Sequence, residues 1–329
     1  MHSISTNDIF TIKNASQFND LAIKIFNYQA KNNTVYKKYL FHLGTKISSV
    51  KAINEIPFLP IEFFKSQMVK TGSNETVKTF YSSGTTGTKR SSHFVTDTSI
   101  YEKSFLTNFE NQYGKLNDIC ILALLPTYLS NESSSLVYMV NKLIAKSGHP
   151  DSGFYLDNIE ELSIKLQSLE KTNTKIILIG VSYALIDLAE KFPMNLSNTV
   201  IMETGGMKGK RKELTKAELH GFLSSGFGVK SIHSEYGMTE LLSQAYSTGE
   251  GIFNTPPWMK ILIRDTYDPF CYLEKGKSGG INIIDLANIN SCSFIETSDL
   301  GKINSDNSFE VLGRFDNSDI RGCNLLHVE

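Results

Sequence analysis

The stretch Asp118-Ile-Cys-Ile-Leu-Ala-Leu-Leu125 is apolar at every position after its first residue and shows no alternation. Such a run reads as a strand covered on both faces, and a polar loop follows it. Apolar residues at helical spacing over roughly 133–146 then predict a helix. The pattern repeats downstream: Lys175–Gly180 predicts a second buried strand, and Tyr183–Lys191 a second helix. Short apolar strands alternating with helices predict an α/β fold with a largely parallel sheet. Toward the N-terminus, Phe18, Leu21, Ala22, Ile25 and Phe26 mark one face of a helix over Gln17–Tyr28. The first sixty residues read as helical up to Pro57 and Pro60. Toward the C-terminus, from about Ile261, strands dominate, with glycine-rich turns predicted at 276–280 and 301.

The chain of 329 residues is 40% hydrophobic and 20% charged, enough to bury a large core and too apolar for disorder. No linker divides it, so one large domain with layered subregions is expected. A formal charge of −1 argues against a nucleic-acid polyanion as main partner. No apolar run approaches the ~18 residues that cross a bilayer. The N-terminus lacks a basic segment followed by an apolar one, so no secretory signal is expected. Cys120, Cys271, Cys292 and Cys323 show no zinc-type spacing, and no histidine pair has ligand spacing, so no structural metal is expected. A cytoplasmic, thiol-reduced protein is the expectation.

The most informative segment is Tyr81-Ser82-Ser83-Gly84-Thr85-Thr86-Gly87-Thr88-Lys89-Arg90. Hydroxyls, backbone N–H groups freed by glycine, and two cations are what a polyphosphate requires. It is not a Walker A loop, since only two residues separate the glycines. Extended segments on both sides, Val77–Tyr81 and Ser92–Thr96, predict a loop joining two strands. By composition alone a flexible Ser/Thr/Gly surface turn is the lesser alternative.

The segment resembles the phosphate loop of the adenylate-forming superfamily, and three further matches follow in that superfamily's chain order. Tyr236-Gly237-Met238-Thr239-Glu240 resembles its Tyr-Gly-x-Thr-Glu motif. Thr297-Ser298-Asp299-Leu300-Gly301 resembles Thr-x-Asp-x-Gly, and Gly313-Arg314-Phe315-Asp316 resembles the Gly-Arg-x-Asp hinge. Other stretches resemble the LuxE-type acyl-protein synthetases of bacterial luminescence: Ile56–Ile61 with Lys65, Leu125-Pro126 leading to Ser134-Ser135-Leu136, Pro256–Met259, Asp285–Asn288, and Ile320–Leu325. Together they span nearly the whole chain.

The resemblance implies an adenylate-forming domain over 1–312, with a helical part over 1–60. A hinge-like segment and short tail follow over 313–329. The mobile C-terminal domain of most of the superfamily has no counterpart in the thirteen residues after Asp316. Its catalytic lysine is then unmatched, with Lys89, Lys208 and Lys210 as candidates for equivalent charge. ATP is implied as cofactor, bound by Ser82, Ser83, Gly84, Thr85, Thr86, Gly87 and Lys89 at the phosphates. Tyr236, Gly237, Gly205 and Gly206 would lie at the adenine, Asp299 at the ribose, and Arg314 at ribose or phosphate. Thr239 would contact phosphate, and Glu240 would bind Mg2+, a hard cation that takes oxygen ligands. Cys323, near the terminus and two residues after Arg321, would carry the acyl group as a thioester. His233 reads as structural rather than as a base.

The implied function is ATP-dependent activation of a carboxylic acid, fatty by resemblance, as an acyl-adenylate. Transfer to Cys323 and delivery to a partner protein such as a reductase would follow. The alternatives are an acyl- or aryl-CoA ligase of the phenylacetate type, disfavoured by the unmatched C-terminal domain, and a nucleotide-binding module without catalysis.

Overall fold

The computed structural model describes residues 4–83, 89–126, 133–156, 158–206, 211–212 and 214–315. A mixed sheet of twelve strands among the described residues organises the chain. One half is parallel, in the spatial order Gly153–Tyr155, Ile119–Leu124, Lys175–Val181, Thr199–Thr204, His233–Tyr236. Every residue of Ile119–Leu124 is buried, as its unbroken apolar run requires. Helices supply the cover. Ser135–Ser147 is capped by the Ser134 hydroxyl and closed by Gly148 in the left-handed region, and it buries Val137, Met139, Val140 and Leu143. Ser182–Lys191 returns the chain toward the next parallel strand.

From His233–Tyr236 onward the sheet becomes antiparallel, continuing through Ala245–Ser247, Ile252–Asn254, Phe309–Arg314, Phe294–Ile303, Ser278–Asp285 and Met259–Arg264. This is the strand-rich last third expected from the sequence. The predicted glycine turns there need correction. Gly276 does turn, at φ +85°, but Gly279, Gly280 and Gly301 lie inside strands. A Cβ on Gly280 would fall 2.4 Å from the Arg264 guanidinium carbon, and one on Gly301 would fall 2.5 Å from the Glu310 carbonyl. These glycines allow close approach rather than reversal.

The helix expected over Gln17–Tyr28 runs over Ala15–Asn32, two residues longer at its start, where Asn14 caps it, and four longer at its end. Its buried Gln29 ties it to the far end of the chain. The Gln29 amide donates to the Asn288 and Ile289 carbonyls at 3.0 and 2.9 Å, and the Ser293 N–H donates back to its oxygen at 2.9 Å. A separate hairpin, Lys78–Tyr81 with Ser92–Val95, carries the glycine–hydroxyl segment between its strands, as predicted. None of the described helices is long and apolar enough to cross a membrane.

Candidate active site

In parallel α/β sheets the strand ends that carry side chains out of the core are the carboxyl ends, where ligands collect. Two neighbouring strands end here in candidate residues. Thr199–Thr204 leads into the exposed Gly205 and Gly206, with Gly205 at φ +68°. The Gly205 carbonyl accepts the Ser182 hydroxyl at 2.7 Å. His233–Tyr236 leads into Gly237 and the turn holding Thr239 and Glu240. A Cβ on Gly237 would lie 2.4 Å from a Glu235 carboxylate oxygen, so a side chain there would force that carboxylate to shift.

Residues 63 apart in sequence meet at Tyr236. Its hydroxyl donates to Asp299 at 2.7 Å, and the Arg314 guanidinium binds the other Asp299 oxygen at 3.0 Å. Asp299 and Arg314 are register partners on adjacent strands, which sets that pairing. Asp299 thus sits mid-strand rather than in a turn. The Tyr236 ring packs edge-on against Phe253 and Phe309, with centroids 5.9 and 5.6 Å away. Burial and the Asp299 charge push the phenol well above its usual range, so it stays a donor.

Glu240 is buried. Burial pushes its carboxyl up, opposed by the Ser91 hydroxyl and by the charges of Arg314 and Lys65. A buried carboxyl that is costly to ionise, with a hydroxyl residue beside it, suits a hard divalent cation. Mg2+ typically takes one or two protein carboxylates and keeps waters and phosphates as its other ligands. Glu240 would hold the ion, with Thr239 next to it in the chain; bound there, the ion would neutralise phosphate charge.

The hairpin base approaches this turn. Ser82 and Ser91 are zipped by backbone and hydroxyl bonds, and the exposed Arg90 donates to the Ser82 carbonyl at 2.5 Å. Ser83 and Lys89 are exposed at the two loop ends. Gly84, Thr85, Thr86 and Gly87 lie outside the described residues, as do Lys208, Lys210 and Cys323.

Several supporting residues escaped sequence reasoning. His93 on the hairpin binds the Thr239 carbonyl at 2.8 Å, and Asn288 donates to the Glu240 carbonyl at 2.7 Å. Asp285 accepts the Leu242 N–H at 2.8 Å and the Ser243 hydroxyl at 2.6 Å. Asp285 and Asn288 lie in a stretch that the family resemblance had singled out without a role. Lys65 was quoted too, but only the fold brings its charge to Glu240. His233 faces Tyr113, 3.2 Å from its hydroxyl, and burial lowers its pKa to about 4. It is poorly suited to act as a base.

The family model for the acyl-protein synthetase LuxE matches residues 10–329. The chain belongs to the LuxE acyl-protein synthetase family. Among solved structures this LuxE-family chain is similar to ATP-bound MatB from Rhodopseudomonas palustris, at 17% identity over 74% of its length and 49% of that chain, with a TM-score of 0.55. It is also similar to 2-hydroxyisobutyryl-CoA ligase in complex with 2-HIB-AMP and CoA. That match has 13% identity, covers 93% of this chain and 70% of that one, and has a TM-score of 0.67. The chain therefore spans about half the length of MatB. At these identities the likeness establishes the adenylate-forming-ligase fold. No curated protein matches the chain.

Proposed function

We propose that this LuxE-family protein uses ATP and Mg2+ to activate a carboxylic acid as an acyl-adenylate, then moves the acyl group to a protein cysteine. The observation that carries this reading is the meeting of Tyr236, Asp299 and Arg314 beside the Thr239–Glu240 turn, against the hairpin of the glycine–hydroxyl segment. One end of the sheet would then offer a ribose acceptor, an aromatic ring, a metal-type carboxylate and a phosphate-type loop to the same nucleotide.

The chemistry needs these parts. A carboxylate resists thiols because its oxygen is a poor leaving group. Attack of that oxygen on the α-phosphorus of ATP forms a C(O)–O–P bond and releases pyrophosphate. A thiolate then attacks the acyl carbon and AMP departs. Phosphate transfer is mostly positioning and charge neutralisation. Ser82, Ser83, Gly84, Thr85, Thr86, Gly87 and Lys89 would cradle the phosphates, while Asp299 and Arg314 orient the ribose and Tyr236, Gly205, Gly206 and Gly237 line the base. Lys65 and Arg314 would supply cationic charge near Glu240. Cys323 would take the acyl group, for delivery to a partner protein.

Coenzyme A as acceptor is the second reading, favoured by the similarity to a ligase whose solved complex holds CoA. The test is carboxylate-dependent exchange of labelled pyrophosphate into ATP. It should vanish on chelating Mg2+ and fall at least about a hundredfold in Glu240→Ala, the scale of losing a key charge-stabilising group. Absence of exchange with every acid tried would leave a binding module.

A further inference from the structure

Ser91 immediately precedes the strand Ser92–Val95 that leaves the glycine–hydroxyl segment, His93 lies two residues on within it, and both side chains are buried. They reach two adjacent residues of one turn. The Ser91 hydroxyl works against burial to hold the Glu240 carboxyl down, and His93 Nδ1 stands 2.8 Å from the Thr239 carbonyl. A carbonyl only accepts, so Nδ1 carries the proton. The ring is fully buried, meets Phe64 edge-on at 5.9 Å, and its Nε2 makes no close hydrogen bond among the described residues, with the Asn288 side chain as a polar neighbour of the ring. An unpaired buried nitrogen is a cost that a phenylalanine or leucine would avoid. The position therefore calls for an N–H at the δ site, not for bulk alone. The rest of the turn is held from the other side, by Asn288 on the Glu240 carbonyl and Asp285 on the Leu242 N–H.

We propose that His93 is a positioning residue that locks the Thr239–Glu240 backbone to the hairpin, so that phosphate-loop and metal-side ligands are set as one unit. This inference rests on the adenylation reading for its meaning. Burial keeps the ring neutral, pushing His93 down to about 4 against the opposing pull of the Thr239 carbonyl and the Asn288 side chain. One tautomer and one hydrogen bond therefore persist through ordinary pH.

The test is calorimetric binding of Mg·ATP to the full chain, with far-UV circular dichroism as the folding control. In His93→Asn the side-chain amide nitrogen would stand where Nδ1 does, whereas in His93→Gln it reaches toward the Nε2 position. His93→Asn should therefore bind within about threefold of wild type, while His93→Gln and His93→Leu lose at least about tenfold, the scale of one hydrogen bond to a buried carbonyl. Hydrogen exchange of peptide 238–242 should quicken in the latter two only. Wild-type affinity in His93→Leu, or an equal loss in all three variants, would overturn the inference. So would failure of all three to fold, since the role is then packing. ATP binding without carboxylate-dependent exchange in wild type would sink the adenylation reading alone, and the variant comparison would still decide His93. No ATP binding by wild type would sink both.

Discussion

Glu235→Gln offers a measurable consequence of the sheet's layout. Glu235 sits at the end of His233–Tyr236, opposite Tyr246, and its carboxyl accepts the Thr204 hydroxyl at 2.5 Å beneath Gly237. Burial raises its pKa from 4.5 to about 7, with the Thr204 bond opposing and the nearby Glu203 charge adding. The folded protein therefore holds this proton between pH 4.5 and 7, where the unfolded chain has released it. Stability is fully present below the unfolded value and is lost as pH rises toward the folded one. A shift of about 2.5 units corresponds to at most roughly 3 kcal/mol. Glutamine keeps the shape and never ionises. The variant should match wild type near pH 4.5 and exceed it by about 2–3 kcal/mol above pH 7, about 3–4 °C in Tm for a chain of this length. Urea unfolding followed by fluorescence of the buried Trp258, the single tryptophan, reads this directly. Other buried acids, such as Asp285, are common to both proteins and cancel in the difference. A wild-type-to-variant gap that stays constant from about pH 4.5 to 7.5 would refute the reasoning.

Cys323→Ser should keep pyrophosphate exchange near wild type yet form no hydroxylamine-labile acyl-protein, because a serine hydroxyl stays protonated near neutral pH. A labile acyl-protein at wild-type level would move the carrier to another cysteine, and acyl-CoA formation in its place would favour the ligase reading. Lys65→Met should lower the exchange rate about tenfold without changing the melting temperature, since its charge reaches Glu240 from an exposed position. An unchanged rate would remove Lys65 from the site. Gly280→Ala should destabilise by about 1–3 kcal/mol in the same urea assay. Its methyl would overlap the Arg264 guanidinium, which is pinned by the Ile281 and Thr297 carbonyls and Asn282. Unaltered stability would mean that Arg264 moves aside freely.

The sequence alone carried the elements whose cause is local. An unbroken apolar run such as Ile119–Leu124 has nowhere to go but between two layers, and Phe18, Leu21, Ala22, Ile25 and Phe26 mark a buried helix face by their spacing alone. The four ordered motifs likewise announced the candidate site, since residue type and order survive without coordinates. What depended on the tertiary structure was which of these residues meet. Tyr236 finds Asp299 only because the sheet turns antiparallel between them, and Asp299 finds Arg314 through strand register. The glycines at 279, 280 and 301 misled for the same reason. A glycine in sequence signals freedom to turn, whereas these answer a neighbour that approaches too closely for a Cβ. His93, Asp285 and Asn288 carried no motif signal of a role. Their work is to satisfy the backbone of a turn more than forty residues distant from each, and a hydrogen bond at that separation is written in the packing, not in the string of residues.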